Sequence, residues 1–251
     1  MMKRSLIGVA AVVLALIGTG CEPSSTALEP PVVSTAATND GGTLTLSWEA
    51  VEGATSYEIT AGSEVDTTTS LSFDVSTPAA TIEVRSLKGS SKSDSAAAIH
   101  CKIVESTVEF FGDVVTTHTN GFGFNDDGIA VGCTLSYPSQ LSMDFYAELS
   151  GGEMKLVPAK LSDSRRGDAI KAASGSYDAI LIADSLGAYS GLKLPIMVDS
   201  TYYLRMSADT ALGTWSIENN FAKAKVVAID SAKVTLNLGY MKVGGLRWLV
   251  K

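Results

Sequence analysis

Leu44, Leu46 and Trp48 alternate with Thr45 and Ser47, and no other stretch restricts the fold of this chain so tightly. Side chains two apart share one side of a strand, so these three predict a half-buried strand over 43–49. Val51 to Thr55 reads as a short turn with Gly53 at its centre, where positive φ costs little. Extended patterning resumes at Ser56, with Tyr57 and Ile59 on one face. This strand–turn–strand unit sets the register of what precedes and follows it.

The wording Leu46-x-Trp48, then Gly53-Ala54-x-x-Tyr57, resembles strands B and C of a fibronectin type III domain. The resemblance implies a sandwich of seven short strands over 31–104. Its first strand begins at Val32-Val33, and 64–69 is a polar edge. Leu71, Phe73 and Val75 form one period-two strand, and Ile82 and Val84 alternate with Glu83 and Arg85 in the next. A Ser/Lys loop over 88–95 precedes a last strand with Ala97, Ile99, Cys101 and Ile103 on one face. The position that the family fills with its corner tyrosine holds Ala80, so that hydrogen bond is missing here. The resemblance names an architecture and neither a ligand nor a reaction.

The chain opens Met1-Met2-Lys3-Arg4, runs uncharged from Leu6 to Ile17 and reaches Gly18-Thr19-Gly20-Cys21. A basic start, a short apolar run and small residues describe a secretory signal over 1–20. The run is too short for a permanent span, which takes about 20 apolar residues. Gly20-Cys21 resembles the lipobox of bacterial lipoproteins, although Gly18 stands where that family prefers Leu. The resemblance implies lipid on Cys21 and an address at the cell envelope, on the outer membrane. Residues 21–30, rich in Pro, Ser and Thr, then form a tether. With 27 acidic residues against 19 basic, and with Lys3 and Arg4 lost alongside the signal, the mature chain has no long-range attraction for nucleic acid.

A chain of 251 residues is too long for one such module. Beyond 104 the alternation continues in five runs: Ile129 to Tyr137, Met143 to Leu149, Leu192 to Val198, Tyr202 to Met206, and Val234 to Tyr240. Separated by Gly, Asn and Asp turns, they predict a larger β-sandwich over 105–251, with a jelly roll among its possible forms. The fold class expected for the whole chain is therefore all-β. Pro195 falls on the outward face of its run and marks an edge strand. Only Arg166 to Ala173 suits a helical turn.

Candidate chemistry is sparse. Cys101 and Cys133 each share a face with apolar neighbours, which places them in separate cores as small hydrophobes rather than as a bridge. Asp184-Ser185-Leu186 resembles the Asp-Ser-Leu lipase block, yet His100 and His118 both precede Ser185, and a serine without a base is not activated. Two histidines are too few for a His-rich metal site, and no metal or other cofactor is expected. Asn125-Asp126-Asp127-Gly128 lacks the spacing of a calcium loop and reads as a turn. Arg166-Gly167-Asp168 is an integrin-like tripeptide short enough to arise by chance.

Tyr146 and Tyr203 face away from the apolar stripes of their own strands, and Trp215 follows a Gly213-Thr214 turn. Exposed rings of this kind stack on sugars, so these three are the candidate ligand residues, with surface or core anchoring as the competing reading. The expectation is an anchored, non-catalytic binding module, for glycan or another surface ligand. A structural or adhesive component acting through protein contacts is the alternative, and an enzyme ranks third.

Overall fold

The computed structural model describes residues 27–113, 117–135, 142–159, 168–184, 189, 191–207 and 219–251. They form an all-β protein of antiparallel sheets. Val33–Thr38 (β1), Thr43–Trp48 (β2) and Ser72–Val75 (β5) make one sheet in the order β1–β2–β5. Ser56–Ala61 (β3), Glu64–Thr68 (β4), Thr81–Lys88 (β6) and Ser91–Lys92 (β7) make the facing sheet, and Ala97–His100 (β8) also pairs with β6. Alternation works in β2, β3 and β6 because each has one covered face: Leu44, Leu46, Ile59, Ile82 and Val84 are buried, and polar residues separate them. Trp48 meets Tyr57 edge-on with ring centres 5.1 Å apart, and the Tyr57 hydroxyl accepts the Val51 N–H at 2.9 Å. Leu71, expected on the β5 stripe, lies before that strand and is exposed, while its carbonyl accepts the Trp48 N–H.

Val104–Phe111 (β9) leads into the second pair of sheets. The first has the order β14–β16–β17–β18–β9, using Ala169–Ala172 (β14), Thr201–Met206 (β16), Asn220–Asp230 (β17) and Lys233–Met241 (β18). The second runs β11–β10–β12–β13–β15, using Gly121–Phe124 (β10), Ala130–Cys133 (β11), Phe145–Ser150 (β12), Glu153–Pro158 (β13) and Leu194–Pro195 (β15). Phe110, Phe122, Phe145, Leu156, Leu204 and Leu236 fill the space between them. At one side β11 lies against β9, and the Ala130 N–H reaches Ser106 Oγ at 3.2 Å. At the other side the edge strands β14 and β15 approach each other.

Three expectations are corrected here. Ile129 and Val131 do not point inward: both are exposed. Phe122 pairs with Gly132 and Phe124 with Ala130, so the large rings of β10 occupy the core and leave β11 room only for small residues. A Cβ on Gly132 would already meet Thr119 Cγ2 at 2.6 Å. Cys133 therefore lies on the opposite face from that core, its buried thiol donating to Val131 O at 3.5 Å, while Cys101 sits in the first core, its thiol pushed up to about 11 by burial. The helical turn expected over 166–173 is also replaced, within the described residues, by strand β14, whose pairing with β16 outweighs the helix propensity of Ala and Lys. Finally, Leu192 and Val198 are exposed, and of their run Ile196 alone is fully buried.

Candidate ligand-binding cleft

The open side of the second sandwich holds a cleft of about 510 Å³. One wall is the chain leaving β14, from Ala172 to Ser176; the other is the segment from Leu194 to Tyr202 that carries β15 into β16. Pro195 ends its sheet as expected, pairing with Lys155 of β13. A tight bend follows. The Ser200 N–H donates to Met197 O at 3.1 Å, and Asp199 adopts a left-handed φ of 65°. Non-glycine residues seldom take that conformation, and here Asp199 is held from both directions. Its N–H donates to Val226 O at 2.9 Å and its carboxylate meets Lys225 Nζ at 3.1 Å. Tyr202 donates its hydroxyl to Pro195 O at 3.1 Å, and burial raises its pKa above the ordinary tyrosine value.

The lining combines the hydroxyl residues Ser174, Ser176, Ser200 and Thr201 with the side chains of Leu194 and Met197. Met197 is 66% exposed and Leu192 67%, with Val198 also exposed nearby in sequence. An exposed apolar side chain such as Met197 set beside hydrogen-bonding groups is the usual anatomy of a recognition surface. The groups available donate, accept and pack.

Of the residues singled out from sequence, Tyr146 is half-buried on the outward face of β12. Burial raises its pKa, and Glu148, itself 2.6 Å from Lys193, adds to the effect. Tyr203 is corrected. It does face away from the apolar stripe of β16, but that face is covered, and at 6% exposure its ring belongs to a core. Tyr146 and Tyr203 therefore lie on different sheets and build no joint platform. Trp215 and Cys21 lie outside the described residues, as do Arg166, Gly167 and Ser185. Asp168 is buried, with Oδ1 accepting the Ser207 N–H at 3.1 Å, so the tripeptide does not present it to a receptor. Asn125 Oδ1 accepts the N–H groups of Asp127 and Ile129, the bonding of a turn. The cleft itself escaped sequence reading because its walls, 172–176 and 194–202, are distant in sequence and meet only through the fold. The one available signal was Pro195, which marks the edge where the cleft opens.

No protein-family model matches the chain, and no curated protein matches it. Among solved structures it is similar to chitinase ChiA74 from Bacillus thuringiensis, at 14% identity and a TM-score of 0.23 over 88% of this chain. The chain spans 28% of that chitinase. A likeness at this level carries no argument about fold or activity.

Proposed function

We propose that this chain is an envelope-anchored lipoprotein that presents a non-catalytic binding sandwich, with the ligand received in the cleft between 172–176 and 194–202. The anchor rests on the signal-like residues 1–20 and on Cys21. The antiparallel three-stranded sheet β1–β2–β5 facing the sheet built on β3 and β6, and the Trp48–Tyr57 contact between them, support reading the first sandwich as fibronectin type III-like. The observation that carries the binding reading is the exposed Met197, which stands with Leu194 beside the hydroxyl groups of Ser174, Ser176, Ser200 and Thr201 in one cleft. Met197 and Leu194 favour a protein segment from another envelope component, because apolar side chains gain most from covering one another. A glycan is the second reading, favoured by the hydroxyl lining and by the outward ring of Tyr146.

The test places a photo-crosslinking residue at position 197 of the anchored protein in the cells that make it. An envelope polypeptide captured by the wild-type cleft and lost with Ser174→Arg, which fills the cleft from an exposed lining position, supports the protein reading. Glycan-array binding that is lost with the same variant transfers the site to sugar. Neither result, with the chain folded, overturns the binding function.

A further inference from the structure

The two sandwiches are joined by more than the short connection at 101–103. Residues 180–184 and 246–250 form a two-stranded ribbon. Ile182 faces Trp248 in an antiparallel bridge, Leu249 N–H donates to Leu181 O at 2.8 Å, and Ala183 N–H donates to Arg247 O at 2.7 Å. The ribbon is tied to the outward face of the sheet containing β16, β17 and β18. Lys223 Nζ donates to Ile180 O at 2.9 Å, and Lys171 pairs with Asp184. Gly239 leaves room on the same sheet for the connection residue Ile103 and for Tyr177, both of which a Cβ there would strike.

The same ribbon grips the first sandwich at the β1–β2 hairpin. Arg247 N–H donates to Gly41 O at 2.9 Å and Arg247 Nε to Asp40 O at 2.7 Å, while Trp248 Nε1 donates to Gly42 O at 3.1 Å. Three consecutive carbonyls thus accept from two consecutive residues. The hairpin attains this shape with left-handed φ values at Asn39 (49°), Asp40 (54°) and Gly41 (78°). Two adjacent non-glycine residues in that region are a cost that surrounding contacts must offset. Val250 O also accepts the Ile103 N–H at 2.7 Å, which ties down the connection itself. Around these bonds Trp248, Leu246, Leu249, Ile180 and Tyr203 share one continuous core with Leu44, Leu46 and Trp48.

Sandwiches in tandem swing on their linker unless the surface between them is apolar and well bonded. Here it is both. We infer that the ribbon 180–184/246–250 locks the two sandwiches into one rigid body, so the second keeps a fixed bearing on the first. The first is then a structural half of the unit and not a detachable spacer.

Residual dipolar couplings of the full chain without its signal segment test this. One alignment tensor fitting the amides of both sandwiches is expected. Two different tensors in the unaltered chain overturn the inference. Arg247→Ala, together with Trp248→Phe to keep an aromatic ring in the core while removing the indole N–H, should split the tensor while both sets of strand amides stay dispersed. A single unchanged tensor in that double variant removes the ribbon from the explanation, and so overturns the lock. Should the double variant unfold, the unaltered chain's own tensors decide.

Discussion

The ring of Tyr177 is met by two ammonium groups, with Lys223 Nζ 4.7 Å and Lys251 Nζ 5.0 Å from its centre. Lys223 is wholly buried, and Lys251 is held outside by Asp178 at 2.7 Å and Glu105 at 3.0 Å. Burial, with Lys251 as a second cause, pulls the Lys223 ammonium down from 10.5 to about 8. The Tyr177 ring and the Ile180 carbonyl both favour the charged form and work against that drop.

The sign of the resulting pH dependence follows from which state binds the proton. Between about 8 and 10.5 the unfolded chain keeps Lys223 protonated while the folded chain releases it. Folding stability should therefore gain a favourable contribution from Lys223 as pH rises through this window. Below about 8 the full cost of burying the charge is present. Chemical denaturation of wild type and Lys223→Met at a series of pH values isolates the effect. The stability difference should move in favour of wild type from pH 8 upward, and a flat difference contradicts the assignment.

Gly239→Ala should destabilise by about 1–3 kcal/mol, the usual cost of forcing an extra methyl into a packed site. The clash falls on Ile103 and Tyr177, so exchange protection should fall most at the Ile103 amide, which bonds Val250 O. Hydrogen exchange read residue by residue checks this. Loss confined to the edges of β18 would place the strain elsewhere.

Trp48→Ala should cost about 3–5 kcal/mol, because it empties the largest side-chain volume between the first two sheets and removes the edge-on contact with Tyr57. The denaturant midpoint of the full chain reports it. Since that core continues through Trp248 into the second unit, the loss should lower one shared transition and leave no intact half behind.

What the sequence disclosed and what it concealed follow one rule. Leu44, Leu46 and Trp48 were legible because one face of their strand is buried and the other wet. The rule fails at β11, where Ala130 and Gly132 face the core only because Phe122 and Phe124 already fill it. It also fails at Tyr203, since alternation tells which side a residue takes and says nothing about what covers that side. Ala169-Ile170-Lys171-Ala172 carries helix formers, and its strand exists through pairing with distant residues of β16. The cleft and the ribbon are likewise products of long-range approach, and Arg247 and Trp248 gave no local sign of their hold on Asp40, Gly41 and Gly42.

The proposal that the protein is held in the envelope by lipid on Cys21 is tested most directly by metabolic labelling. Cells expressing the full chain receive labelled palmitate and are then fractionated with and without detergent. The account predicts label on the protein, extraction only by detergent, and loss of both with Cys21→Ala. A wild-type protein that is unlabelled and released without detergent would contradict it.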